Sequence, residues 1–540
     1  MQTAAPADLV VRARRVVTLD EALDRRARPP EALAVRSGRI VWVGERVGAE
    51  AFIGPETRTL DLPGSTVVPG LVDSHAHLLS LGRALSEPDL AGAASEAEAI
   101  ARVVAAAGSG TAGAAGAWIE GRGWDQNDWP AQVFPTHHAL SAAFPDRPVA
   151  LRRVDGHALW ANAAALSAAG VTAATHAPPG GEIVRDAQGA PTGVLLDAAM
   201  GLVTRAIPPA PDAQVRAWVE AAIAACHRVG LTGVHDAGAS DASVRAFEAL
   251  AAEGALTLRT YMLLDADDPT NARRLEAGPQ RGDWLTVGGV KLFADGALGS
   301  RGAWLSAPYT DAPETRGIPI VHGDDLAARV RVYAARGFQL GVHAIGDAAA
   351  TDVLNAYAQV LTPENDRRFR LEHAQIVRPE DMRRMATLRV LALVQPTHAT
   401  SDMPWAEKRL GPDRIRWAYA WRSLKDAGVR LVLGSDFPVE KPDAMDGLYA
   451  AVTRQDASGQ PEGGWYASEA LTAYEALWGF TAEPAFAAFE EARRGRIAVG
   501  MDADLTVLGG DPLATPKSAL RGLRVVHTIV GGRVVYSAPQ

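Results

Sequence analysis

The sequence predicts an α/β fold: a (β/α)8 barrel of the TIM type with an insertion after its first strand, plus a small β-sandwich domain built from both termini. Three observations predict it. The middle of the chain alternates apolar strand-like runs with Ala-rich helical stretches, the pattern of a parallel sheet flanked by helices. Eight such runs can be counted, the number that closes a barrel. β-branched segments recur at both ends, and chain termini commonly lie close together. A length of 540 residues exceeds an average domain but suits a barrel carrying insertions.

At the N-terminus, Asp8 to Val17 is β-branched, and Leu33 to Gly44 reads as a hairpin turning at Ser37-Gly38. At the C-terminus, Ala503 to Leu508 and Val525 to Tyr536 repeat the style, with a turn at Gly531-Gly532. Residues 1–66 and 491–540 are therefore assigned to the small domain and 67–490 to the barrel. The barrel strands are expected at Thr66–Asp73, Leu231–His235, Leu256–Leu264, Val287–Phe293, Phe338–His343, Phe369–His373, Val390–Gln395 and Val429–Asp436. The gap between the first two is too long for one crossover. It holds a Gly/Ala-rich stretch, Gly108 to Gly116, so the insertion is placed at about 95–215.

Composition narrows the function. Hydrophobic residues at 48% and charged residues at 22% describe a globular chain with ample core. A net charge of −9 without a Lys/Arg run argues against nucleic acid as a partner. No apolar stretch is long enough to span a bilayer, and Met1 to Asp8 lacks the pattern of a signal peptide. The single cysteine, Cys226, precludes an internal disulfide and fits a reducing compartment. The expectation is a cytoplasmic protein with a small-molecule substrate, no nucleic acid and no membrane, a homodimer being the assembly considered.

Several expected strands end in a metal-ligand type. The first gives His75-Ala-His77, whose spacing in extended backbone puts both imidazoles on one face. The fourth carries Lys291, the fifth ends at His343, the sixth at His373 and the eighth at Asp436. C-terminal strand ends converge on one mouth of a barrel, where such residues form a site for two divalent ions. One His-x-His among thirteen histidines is ordinary, and a lone strand-end histidine is more often a satisfied core group. A lysine inside an apolar run is unusual, because burying an ammonium is costly. The conjunction on five strands is what carries the assignment.

Five segments together resemble the amidohydrolase superfamily, in its amidohydrolase-3 branch of N-substituted formamide deformylase-like enzymes. They are Val68 to His77, Gly289 to Arg301, Gly341 to Asp347, Leu371 to Gln375 and Leu433 to Pro438. The resemblance implies that His75, His77 and Asp436 bind one metal and that His343 and His373 bind the other. Lys291 would bridge them as a CO2-derived carbamate. Zinc is the expected metal, two ions per chain, with Mn, Fe, Co or Ni as substitutes. Asp436 would carry the proton from activated water to the leaving nitrogen. His157 and Asp295 join the expected catalytic residues. Trp124, Trp129 and Trp160 of the insertion are read as apolar pocket walls, with Asp155 and His157 orienting a polar group.

The function expected is hydrolysis of a non-peptide C–N bond, an amide, formamide or N-acyl group of a small molecule, by metal-activated hydroxide. Ester or lactone hydrolysis, or deamination, would use the same ligands. A non-catalytic barrel would be signalled by a missing ligand, and all six are present.

Overall fold

The computed structural model describes residues 5–24, 28–108 and 118–539. Eight parallel strands form its central sheet in sequence order: β1 (Leu71–Ala76), β2 (Leu231–Ala239), β3 (Arg259–Asp265), β4 (Leu285–Phe293), β5 (Gln339–Ala344), β6 (Arg370–His373), β7 (Leu391–Val394) and β8 (Leu431–Leu433). Each of the eight expected runs contributes a strand to this sheet, the first of them only through its second half. They are nearly continuous apolar segments because both faces are covered, one by the barrel interior and one by helices.

The seam between β8 and β1 is drawn together just past the strand ends. Asp436 N donates to His75 O over 2.7 Å, and His77 N donates to Phe437 O over 2.9 Å. Gly434 permits this approach, because a Cβ there would lie 2.7 Å from both His75 N and the Asp73 carboxylate. The barrel's closure is thus made by the same short segments that carry three site residues.

The first run is divided between two sheets. Thr66 to Pro69 ends a long strand, Arg58–Pro69, of the small sheet, and β1 begins only at Leu71. Leu505–Leu508 pairs antiparallel with Arg58–Pro69, so the C-terminal strands join the N-terminal ones in one seven-stranded ladder. The hairpin expected at Ser37-Gly38 is present, with both residues at positive φ (50° and 74°), as a two-residue turn matching strand twist requires.

The insertion leaves the barrel after the helix Leu78–Ala84 and returns before the helix Asp212–Arg228. It contains its own five-stranded sheet, in the order Ile119–Trp124, Val149–Arg153, Ala158–Ala161, Pro191–Asp197, Gly181–Arg185. Beyond Gly108, the Gly/Ala-rich stretch lies outside the described residues. Here one expectation fails. Trp124, Trp129 and Trp160 do not wall a substrate pocket; they pack on one another at 6.1–6.3 Å between ring centroids, in a separate apolar core of the insertion. Burying such rings contributes of order 2 kcal/mol each or more, which gives the insertion a core of its own. Among the described residues, no helix is long and apolar enough to cross a membrane.

Candidate metal centre

The mouth of the barrel collects the residues singled out in the sequence. His75 and His77 leave β1, Lys291 lies in β4, His343 in β5, His373 ends β6, and Asp436 follows β8. The rings of His75 and His373 are 4.7 Å apart by centroid, and those of His373 and His343 4.4 Å. Lys291 Nζ lies 3.4 Å from His75 Nε2. Asp436 Oδ1 lies 3.0 Å from His77 Nε2 and 3.6 Å from His75 Nε2. His75, His77 and Asp436 therefore offer three donor atoms to one point, as do His373, His398 and Asp436.

The orientation of the imidazoles is set from behind. His75 Nδ1 bonds to the Glu372 carboxylate, His343 Nδ1 lies 3.1 Å from Asp295 Oδ1, and His373 Nδ1 lies 2.9 Å from Gln395 Oε1. Carboxylate and amide oxygens only accept, so each Nδ1 is the protonated nitrogen and each Nε2 keeps its lone pair. Buried His343 Nε2 and His398 Nε2 have no hydrogen-bond partner, an arrangement too costly to retain unless another group uses those atoms. Burial first, then neighbouring cationic groups, holds His75, His343 and His373 well below the ordinary histidine range, so they are neutral donors. The set fits divalent ions: neutral imidazoles tied to carboxylates or an amide, and a carboxylate among them.

The other charged groups divide by environment. Burial resists ionisation of Asp436, but His77, His75 and His398 outweigh it and hold the carboxyl well below the usual range. Burial lowers the pKa of the Lys291 amine, against the opposing pull of Glu372 and Asp436. Asp295 is fully buried, accepts from the backbone N–H of Ile345, Gly346 and Trp304, and is pushed by burial up to about 7. It sits behind His343 rather than in the open mouth. His157, on the insertion, bonds through Nδ1 to Asp197 at 2.7 Å, and its ring is 5.1 Å from that of His343. Burial would lower its pKa, but Asp197, joined by Asp155 and Asp295, more than offsets this, so His157 is raised above its ordinary value.

Backbone strain concentrates at the same place. His373 and Asp436 adopt φ of 71° and 62°, the left-handed region that costs a non-glycine residue of order 1–3 kcal/mol. Extended backbone at either position would send the side chain elsewhere, so the strain aims the two groups inward.

Sequence reasoning missed Glu372, Gln395 and Asp197 as anchors and gave His398 no defined role. A signal for Glu372 existed: in Phe369-Arg-Leu-Glu-His373 the two-residue period puts Arg370 and Glu372 on one face of a strand otherwise expected to be apolar. Both are fully buried, 2.9 Å apart, and Arg370 also donates to Ser74 O. The cavity between barrel floor and small sheet, bordered by Gly70, Tyr261 and Asp504, lies at the opposite pole and measures 30 Å³, room for about one water.

A barrel with this mouth is of the metal-dependent hydrolase class. The chain belongs to the amidohydrolase family, whose model matches residues 58–536. It is a hydrolytic enzyme acting on carbon–nitrogen bonds. YtcJ of Bacillus subtilis, whose name places it among the amidohydrolases, is 38% identical over 94% of this chain and 96% of its own length. The N-substituted formamide deformylase of Arthrobacter pascens is 31% identical over 95% of this chain and 96% of its own. An uncharacterized metal-dependent hydrolase from Pyrococcus horikoshii superposes with a TM-score of 0.75 at 26% identity, covering 94% of this chain and 99% of that one.

Proposed function

We propose that this protein hydrolyses an amide-type bond, an N-formyl or N-acyl group, of a small molecule at a two-ion centre. His75, His77 and Asp436 hold one divalent ion, zinc in the first instance, and His343 and His373 the other. The observation that carries this reading is the set of buried imidazoles anchored through Nδ1, His75, His343 and His373, with the Nε2 of His75 facing Lys291 and Asp436. The formamide deformylase relative supports the choice of bond.

When bound, the ions polarise the scissile carbonyl and make water a nucleophile near neutral pH. The chain supplies the rest. Asp436, held ionised, accepts a proton from the attacking water on its carboxylate and returns it to the leaving nitrogen. His157, whose protonation Asp197 favours, donates from Nε2 to a substrate oxygen, while Asp295 fixes the His343 ring. Lys291, its amine biased toward the neutral form, adds to CO2, forming an N–C bond and releasing a proton. The resulting carbamate is an anionic oxygen donor shared by both halves of the site.

The test is hydrolysis of N-formyl amines, N-acyl amino acids, cyclic amides and esters by the metal-loaded protein. Cleavage of a formyl or acyl amide, abolished by chelation, is expected. Turnover confined to esters or lactones, or undiminished in chelator, would overturn the reading.

A further inference from the structure

Beside the mouth, two arginine side chains make no salt bridge among the described residues, and the acidic group whose charge both feel, Glu87, is already paired with Arg83. Arg122 and Arg152 lie opposite each other on the adjacent insertion strands Ile119–Trp124 and Val149–Arg153, so their side chains share a face. The Arg152 side chain makes no ion pair and no hydrogen bond among the described residues. The Arg122 side chain makes one hydrogen bond among the described residues, Nη2 to Val154 O at 2.6 Å, and its buried Nε has no partner among them. The next residue shows what satisfaction looks like: Arg153 pairs with Asp125 and Asp155 and donates to Gln126 at 2.8 Å. The nearby Arg83 is likewise matched, by Glu87 and Glu120.

Two part-buried guanidiniums side by side repel each other and forgo hydration, a cost that Glu87, beyond salt-bridge distance, offsets in part and that an anion between them would repay. Their planar forks match an oxyanion in bidentate fashion. Burial pushes both down only to about 10, so both remain charged at neutral pH. The placement ties them to the reaction centre. Val154, held by Arg122, precedes Asp155 and His157, and the Arg122 charge is felt by Asp436 itself.

We propose that Arg122 and Arg152 form a subsite at the rim of the mouth that binds an oxyanion group of the substrate, a carboxylate or a phospho group. The substrate class is then an acylated amine bearing an anion near the scissile amide, an assignment that rests on the amide reading above.

Calorimetric titration of N-formylglycine, N-formylaminomethylphosphonate and the neutral N-formylglycinamide into the metal-loaded protein tests it. Wild type should bind at least one anion roughly 10–100-fold more tightly than the neutral amide, the worth of a charge-assisted pair. The better anion distinguishes carboxylate from phospho group. Arg122→Gln and Arg152→Gln should each erase most of that preference, and Arg152→Lys should restore part of it. Arg102→Gln, whose arginine is paired with Glu98 on the surface, should keep it. Should a glutamine variant fail to fold, by circular dichroism, the other and Arg152→Lys carry the test. Equal binding of all three ligands by wild type, no binding of any, or a preference that survives both glutamine variants overturns the subsite. An arginine-dependent preference without turnover of any formyl or acyl compound would instead keep the subsite and remove the amide reading.

Discussion

The two halves of the mouth are built differently. In the first, His75 and His77 converge on a carboxylate already in place, with His77 Nε2 and Asp436 Oδ1 at 3.0 Å. In the second, the His343 and His373 rings lie 4.4 Å apart, and the added charged group is the Lys291 amine of β4 rather than a carboxylate. Their supports differ as well. His75 leans on the charged Glu372, itself matched by Arg370, whereas His373 leans on the neutral amide of Gln395. The first half can receive a cation as it stands. The second has no carboxylate of its own: its His373 approaches, with His398, only the Asp436 carboxylate that the first half also uses, and a carbamate on Lys291 would add an anionic oxygen there.

The sharpest way to break this comparison is to remove the carboxylate of the preformed half. Asp436→Asn should lower kcat by about 10²–10⁴-fold, typical of losing an acid–base group, with the fold retained by circular dichroism. Retention of most of the wild-type kcat would take Asp436 out of the proton-carrying role.

A smaller effect separates the two supports. Glu372→Gln should weaken retention of one metal ion by about 10–100-fold, as removal of a carboxylate behind a ligating histidine does. Gln395→Ala should weaken it less, since no charge is lost. Chelator-competition curves for the two variants give the comparison directly. Equal metal retention in Glu372→Gln and wild type would reduce Glu372 to a packing residue.

The smallest expected effect lies at the rim. Asp402 accepts from the Tyr419 hydroxyl at 2.6 Å and is pushed by burial up to about 7. The folded chain thus keeps a proton that the unfolded chain has released once pH passes the ordinary value of 3.8. Folding takes up that proton between the two values, so this residue's contribution to stability declines as pH rises through the window. Asp402→Asn should therefore flatten the stability profile above pH ~5, relative to wild type, in urea unfolding. Parallel profiles for the two proteins would show that Asp402 does not titrate there.

These features were unevenly legible in the sequence. The eight strands were, because parallel strands covered on both faces are written as apolar runs, and the ligands were, because they stand at the ends of those runs. Glu372 behind His75 was not recognised, since the partners are 297 residues apart and only the closed barrel joins them. The insertion tryptophans were misread because a cluster of aromatics suits a pocket wall and a private core equally well. Packing decides between these, and here Trp124 and Trp160 are fully buried against each other. The inward turn of His373 and Asp436 depends on left-handed backbone that residue type alone does not announce.

Elemental analysis of Lys291→Ala beside wild type decides whether Lys291 supplies the proposed anionic bridge. The account predicts roughly two divalent ions per wild-type chain. It predicts loss of at least one ion together with activity in Lys291→Ala, and partial recovery of both with a short added carboxylate such as formate or acetate. A Lys291→Ala protein that keeps the full wild-type metal content would contradict the account.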